Sequence, residues 1–343
     1  MMRLPLPWLL GLTCGALALL LVGSLATGPM SLSLAESLQA LFAGAESGIE
    51  THKLLIVQEI RLPRTLLCIA VGGILGLCGA VMQGLFRNPL ADPGIIGVSG
   101  GAALGAALAI VLLAPLGQQL QSLLGLGLLP LLAFLGGALT TTLVYLLGTR
   151  EGGTSVTVML LAGVAITALS GAVIGLLTYL ADDQMLRNLS LWQMGSLAAG
   201  KPMDVALALA TLVTLLLLFM RDANPLNALL LGESEARHLG VNVQSLKRRL
   251  ILLTAAGVGV AVAVAGMIGF VGLVVPHLVR LLAGPNHVRL LPLSALLGAA
   301  LLLGADMLAR TLLAPAELPV GIITALLGAP FFIWLLVKSR QTL

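Results

Sequence analysis

The chain alternates long apolar runs with short polar segments over almost its whole length. A membrane-spanning helix needs about 20 consecutive apolar residues, and most of the runs approach that length. Within 255–282 the apolar run is nearly continuous, with Gly266, Gly269 and Gly272 as its punctuation and Pro276 inside the second part. The pattern predicts ten spans, at residues 8–27, 63–83, 94–114, 128–147, 156–179, 203–220, 249–266, 270–284, 290–310 and 319–337.

Composition narrows this pattern to one class of protein. Of the 343 residues, 59% are hydrophobic and 9% are charged, and the mean hydropathy is +1.09. The cysteines, Cys14, Cys68 and Cys78, lie inside apolar runs and lack the spacing of a metal or redox motif. Because the spans occupy nearly the whole chain, a sizeable soluble domain does not fit. The sequence therefore predicts an all-α membrane protein, a polytopic bundle of about ten helices with one domain over residues 1–343.

Basic residues predict the orientation of the bundle. With the N-terminus inside, 12 of the 18 lysines and arginines fall on cytoplasmic segments. Because cytoplasmic loops carry an excess of Lys and Arg, this count predicts cytoplasmic N- and C-termini.

One polar segment lies between two long apolar runs. Residues 221–249 hold eight of the chain's 32 charged residues. The sequence NPLNALLLGESEARHLGVNVQSLKRR predicts a short amphipathic helix with a glycine stop. The terminal Lys247, Arg248 and Arg249 are typical of a positive-inside anchor for the seventh span. We interpret the segment as a cytoplasmic docking surface for a soluble partner.

Motifs that would supply energy or catalysis are missing from the sequence. The only Gly-Lys pair, Gly200 and Lys201, is followed by Pro202, so there is no ATP-binding P-loop. There is no H-E-x-x-H zinc motif. No span carries a carboxylate at its centre, and Asp306 comes nearest, towards the outer end of the ninth span. We therefore predict no catalytic residue, metal site or cofactor on this chain, with energy supplied by the docked partner. A passive channel or an ion-coupled carrier, which needs no ATPase subunit, is an alternative.

The sequence GVSGG at 97–101 matches the G-x-S-x-G pattern of serine hydrolases. Together with His277 in a later span, it suggests another class of function, an intramembrane serine protease. The pattern requires a strand-to-helix turn, which an all-helical chain does not provide. Gly97, Gly101 and Gly105 also recur every four residues, which favours a small-residue stripe for helix packing.

Two further sets of residues allow a structural or a functional interpretation. The segment RNPLADPG after the second span is either a tight turn or a gate at a pore mouth, with Asn88 and Leu90 facing the axis. Arg61, Arg64 and Arg310 lie on the predicted outer face, against the positive-inside trend. These arginines are either snorkelling anchors or partners for acidic groups on a soluble protein.

Taken together, segments along nearly the whole chain resemble the FecCD-type permeases of bacterial ABC importers, which carry iron-siderophores, haem and cobalamin. The matching segments, in the family's order, are RLPRTL (61–66), GAVMQGLFRNPLADPGIIGVSGGAALG (79–105), LLAGVAI (160–166), LLLGESEARHLGVNV (229–243), GFVGLVVPHLVRLLAGPNH (269–287) and ELPVGIITALLGAPFFIWLL (317–336).

This resemblance implies a type II ABC importer permease in the bacterial inner membrane, and a transporter subunit rather than an enzyme. It implies a homodimer with the translocation path at the two-fold interface. Two ATP-binding cassette subunits would hold ATP and magnesium, and a periplasmic binding protein would deliver the ligand.

The resemblance also implies roles for particular residues. It places the binding protein's acidic groups opposite Arg61, Arg64 and Arg310. It implies cytoplasmic gates at Asn88 and Leu90 and at Val156 and Thr157. It implies coupling helices within 226–243 that contact the ATPase through Leu226, Leu231, Gly232, Glu233, Ala236, Arg237, Leu239, Gly240 and Val241.

The substrate is predicted from one more similarity. The segment LLTYLADDQMLRNLSLWQMGSL (176–197) looks most like the haem permeases of the family. A haem path should be wide and apolar, and methionines lie along the spans, although they are also ordinary core residues: Met82, Met159, Met194 and Met267. We predict haem as the transported ligand, with a ferric siderophore or cobalamin as the alternatives.

Overall fold

The computed structural model describes residues 5–30, 32–42, 50–113, 127–150, 153–198 and 200–340. The α-helices of this part of the chain are α1 (Leu6–Ala26), α2 (Leu34–Phe42), α3 (Thr51–Leu55), α4 (Leu62–Leu85), α5 (Val98–Val111), α6 (Leu128–Gly148), α7 (Val156–Leu180), α8 (Asp183–Gln193), α9 (Pro202–Arg221), α10 (Ala223–Leu230), α11 (Glu233–His238), α12 (Val243–Ala265), α13 (Val271–Ala283), α14 (His287–Thr311) and α15 (Val320–Arg340). A two-residue hairpin pairs β1 (Thr149–Arg150) with β2 (Gly153–Thr154) between α6 and α7.

The predicted spans match helices of the structure. In the described ranges, seven helices are long and apolar enough to cross a membrane, and α5, α13 and the first part of α15 are shorter apolar helices. Each predicted span coincides with one of these ten helices. The prediction of an all-α polytopic bundle is therefore confirmed.

The boundaries differ from the prediction in two places. The segment 28–62, predicted as a loop, contains α2, α3 and a π-helix that runs directly into α4. Lys53 Nζ of α3 donates to Glu36 Oε1 of α2 at 2.8 Å, which joins these two helices. Hydrogen bonds from Lys53 and Ser33 lower the pKa of the exposed Glu36 carboxyl to about 2. The helix predicted to begin at residue 249 begins at Val243, so the basic residues before its apolar part are already helical.

Helices α4 and α14 pack closely against each other in the centre of the bundle. Gly72 and Gly76 of α4 face Gly298 of α14, where an added Cβ would overlap the backbone of the opposing helix. Small residues allow such close approach of helices within a bilayer. The two helices are antiparallel, because Arg64 meets Asp306 at one end and Gly84 meets His287 at the other. The pair therefore connects the two faces of the bundle over roughly 36 Å, the length of a 24-residue helix.

The glycine stripe 97–105 packs as predicted. Gly101 and Gly105 lie against the backbone of α6, and a side chain at either position would overlap Gly136 O or Leu132 O. Gly97 has a φ of +85° and joins a short 3-10 helix to the start of α5. Ser99 therefore lies in the first turn of a helix that follows another helix. Ser99 is thus not on the strand-to-helix turn that a serine hydrolase requires, and the structure does not support the protease alternative.

Candidate coupling surface and arginine cluster

The polar segment between α9 and α12 folds into two short helices rather than one. Gly232, at a φ of +125°, makes the turn between α10 and α11. Gly240 ends α11 at a φ of +82°, and Val241 N donates to Ala236 O at 3.0 Å. This is the glycine-ended stop of a Schellman motif, as the sequence predicted. The surface formed by α10, α11 and the residues up to Val241 is called the coupling surface below.

The residues implied for ATPase contact divide into two groups in the structure. Leu226 and Ala236 are fully buried, so they hold the helices on the bundle and present no surface. Leu231 and Leu239 are instead 68% and 63% exposed. Gly232, Glu233 and Val241 are half-buried, and Arg237 and Gly240 are exposed. Exposed leucines at the end of a membrane bundle are typical of a surface that contacts another protein.

Asn227 ties the coupling surface to the end of α14. Its Oδ1 accepts from the backbone N–H of His287 at 2.8 Å and lies 3.0 Å from the Nδ1 atom of that ring. Its Nδ2 donates to Asn286 Oδ1 at 3.0 Å, and Asn286 also caps α14 through Val288 N. The fully buried His287 packs against Gly84 of α4. Helix α10 is thereby fixed to the α4–α14 pair.

Lys247 differs from the two basic residues that follow it, because it is buried. It is 2% exposed, whereas the neighbouring Arg248 and Arg249 are exposed. Its Nζ donates to Glu233 Oε1 at 2.6 Å and to Thr154 O at 3.1 Å. The ammonium group of Lys247 therefore lies buried between α11 and the β-hairpin, and its role as a positive-inside anchor stays a prediction.

The residues implied as gates lie in two turns. Asn88 is exposed, and its Oδ1 accepts from Leu90 N at 2.9 Å, which closes a local turn after α4. Val156 and Thr157 form the first turn of α7, directly after the hairpin. Ser155 caps this helix by accepting from Val158 N at 3.4 Å. The predicted tight turn is confirmed, and gating stays a prediction.

Arg61, Arg64 and Arg310 cluster at the end of the bundle opposite the coupling surface. They are 3%, 6% and 2% exposed. Asp306, which is fully buried, accepts from Arg64 Nε at 3.0 Å and from Arg64 Nη2 at 2.9 Å. It also forms an ion pair with Arg310 Nε at 3.0 Å. The sequence placed Asp306 near the end of a span but did not identify its partners.

The remaining hydrogen bonds of the cluster come from neighbouring segments. Arg61 donates to the carbonyls of Leu25 and Ala26 at the end of α1 and to that of Met30, which follows the helix. Arg64 Nη1 donates to Glu317 Oε2 at 2.7 Å, and Glu317 is one-third exposed. These hydrogen bonds all lie within the chain, although the buried Nε of Arg310 pairs with Asp306 by charge and makes no hydrogen bond with a described residue. Glu317 is the carboxylate of the cluster nearest to solvent.

The methionines considered for a haem path differ in position. Met82 and Met159 are fully buried in the core, where they fill space between helices. Met194 is exposed, and Met267 lines a cavity together with Asp92 and Ser99. Among the described residues no group of three or more histidine, cysteine or carboxylate side chains could hold a metal ion.

Comparison with known proteins places the chain among importer permeases. A family model described as the FecCD transport family matches residues 16–338. The hemin transport system permease HmuU of Yersinia pestis is 46% identical over 97% of this chain and 96% of its own length. The cobalamin import system permease BtuC of Halobacterium salinarum is 44% identical over 88% of this chain and 78% of its own length.

A solved structure gives the same assignment. The inward-facing conformation of a metal-chelate type ABC transporter superposes with a TM-score of 0.82 and 34% identity, covering 97% of this chain and all of that one. This chain belongs to the FecCD transport family and is a membrane-spanning permease of an ABC importer of the metal-chelate type.

Proposed function

We propose that this chain forms the translocation path of an ATP-driven haem importer in the bacterial inner membrane. The observation that carries the choice of haem is the 46% identity to the Yersinia hemin permease over nearly the full length of both chains. The Halobacterium cobalamin permease matches 78% of its own length, and a vitamin B12 permease of Klebsiella pneumoniae matches 94% at the lower identity of 41%. Cobalamin is the second candidate ligand, favoured by the comparable 44% identity to the Halobacterium permease. A ferric siderophore is the third.

The coupling surface supports the part of the proposal that concerns energy. The chain lacks a P-loop, so ATP binding and hydrolysis belong to two separate cassette subunits. In this proposal each protomer of a homodimer presents α10 and α11 to one cassette on the cytoplasmic side. Leu231 and Leu239 enter apolar pockets of the cassette, and the charged residues around them set the orientation.

Transport in proteoliposomes tests this function. The permease is reconstituted with its ATPase and its binding protein, and uptake of haemin, cobalamin and a ferric siderophore is measured with and without ATP. We expect ATP-dependent uptake of haemin, together with a Soret band when haemin is added to the binding protein. ATP-dependent uptake of cobalamin alone would favour the second candidate. Uptake that needs no ATPase would instead indicate a channel or an ion-coupled carrier.

We place the docking site for the periplasmic binding protein at the arginine cluster. The guanidinium groups of the cluster are buried in this conformation. Arg64 is shared between Asp306 and Glu317, and only Glu317 is accessible to solvent in part. In this proposal an acidic side chain of the binding protein replaces Glu317 on Arg64. Reversal of a buried arginine would not separate docking from folding, so Glu317 is the residue to vary.

We expect Glu317→Gln to raise the affinity for the binding protein about fivefold, because a competing ion pair of about 1 kcal/mol is removed from Arg64. The effect should shrink as salt screens the charges. Titration of the binding protein at low and high salt measures it. Glu59→Gln removes an exposed glutamate outside the cluster and serves as the control. Equal affinities for Glu317→Gln and wild type would contradict this docking role.

A further inference from the structure

Lys247 occupies a junction between the coupling surface and the turn that precedes α7. Its ammonium group lies between Glu233 of α11 and the carbonyl of Thr154 at the end of the β-hairpin. The distances are 2.6 Å to the carboxylate and 3.1 Å to the carbonyl. One side chain of α12 thus joins two segments that are not adjacent in sequence.

The burial of Lys247 argues against a merely solubilising role. A buried ammonium group loses its hydration and is retained only where partners replace the water. A lysine that anchors a span at the membrane surface extends its charge into water. The exposed Arg248, next along the helix, is such a residue. The side chain of Lys247 is 3% exposed and that of Glu233 is 35% exposed. The lysine is therefore held by its two partners.

The hairpin is fastened to α12 at a second point. Gln244, one turn before Lys247, accepts from Thr154 N at 3.1 Å. Gly153, at a φ of +115°, passes so close to the Gln244 side chain that an added Cβ would overlap it. Both backbone polar groups of Thr154 are thus bound by side chains of α12. Thr154 precedes by two residues the first turn of α7, which includes Val156 and Thr157.

We propose that Lys247 is a positioning residue that transmits displacement of α11 to the first turn of α7. The inference rests on the proposed function, because it assigns a route from the ATPase contact to the predicted gate. When a docked cassette moves α11, Glu233 moves with it and carries the Lys247 side chain. Because Lys247 also holds Thr154 O, the hairpin and the start of α7 follow. Gln244 keeps the hairpin on α12 during this displacement.

The test uses the intact complex with ATPase and binding protein in proteoliposomes. Lys247→Met keeps the length of the side chain but removes its charge and its hydrogen bonds. We expect basal ATP hydrolysis within twofold of wild type and at least a tenfold fall in ligand transported per ATP hydrolysed. Arg248→Met removes the same charge from an exposed position on the same helix, and we expect it to transport as wild type does. Wild-type transport per ATP in Lys247→Met would overturn the proposal.

Two further variants keep the proposal testable if Lys247→Met fails to assemble. Gln244→Leu removes the second attachment of the hairpin without burying a charge, and we expect it to lower transport per ATP as well. Glu233→Gln should also lower the amount of ligand transported per ATP. The double variant Glu233→Gln, Lys247→Met should transport as much per ATP as Lys247→Met alone, because both substitutions remove the same contact. Additive losses, or normal coupling in Gln244→Leu, would contradict the route. Failure of the wild-type complex to transport with ATP would count against the proposed function instead.

Discussion

Asp306→Ala should lower the free energy of unfolding by about 3–5 kcal/mol, the usual cost of leaving a buried charge without its partner. Asp306 is fully buried and is shared by Arg64 and Arg310, which are 6% and 2% exposed. Its removal leaves two guanidinium groups in one buried site with Glu317 as their nearest carboxylate. Repulsion between these cations adds to the loss of the hydrogen bonds.

The loss can be measured by reaction of a buried thiol during thermal unfolding in detergent. Cys68 and Cys78 are buried, whereas Cys14 is exposed, so a Cys14→Ser background reports unfolding through maleimide labelling. Glu317→Gln is the matched control, because it removes a carboxylate from the same cluster at a site one-third exposed. We expect it to cost less than about 1 kcal/mol. An Asp306→Ala protein that unfolds at the wild-type temperature would show that the cluster contributes no stability.

Replacing both Leu231 and Leu239 by aspartate should abolish stable association with the ATPase subunit. These leucines are 68% and 63% exposed on the coupling surface. A carboxylate cannot enter an apolar pocket without losing its hydration, and truncation of a central anchor residue alone typically costs 2 kcal/mol or more. Two such substitutions should weaken binding by at least about a thousandfold, since each 1.4 kcal/mol is a factor of ten.

Association can be measured by co-purification of the cassette with the permease and by its dissociation constant in detergent. Asn242→Asp is the control, because it adds a negative charge at a nearby exposed residue that is not among those implied for ATPase contact. Asn242 caps α12 by accepting from Ser245 N at 3.1 Å, and aspartate can accept the same bond. Retained assembly in the leucine variant, or equal loss in the control, would contradict the assignment of the coupling surface.

Local signals in the sequence predicted several features of both sites correctly. Gly240 marked the end of α11, and the turn predicted in RNPLADPG is closed in part by Asp92, which accepts from Gly94 N at 2.7 Å. The glycine stripe from 97 to 105 packs against a neighbouring helix. Each of these features depends on residues close together in the chain, or on a side chain too small to prevent close packing. Such features can be predicted without knowing which helices pack against each other.

The burial of single basic residues was not evident from the sequence. Lys247 and the arginines of the cluster all looked like surface cations, because basic residues at the ends of spans usually reach water. The structure buries Lys247, Arg61, Arg64 and Arg310 instead. Leu226 and Ala236, implied as contacts for the ATPase, are likewise buried and hold the coupling surface in place. Exposure depends on the packing of neighbouring helices, which periodicity does not describe.

The sequence by itself determined that this protein is a helical membrane bundle with a polar segment between two spans. Apolar length alone decides whether a segment can span the bilayer, since its backbone groups are satisfied within each helix. Only the tertiary structure decided which polar groups meet. Arg64 finds Asp306 across 242 positions, and Lys247 finds Thr154 across 93. A buried charge must have a partner, but the identity of that partner depends on which helix ends the packing brings together.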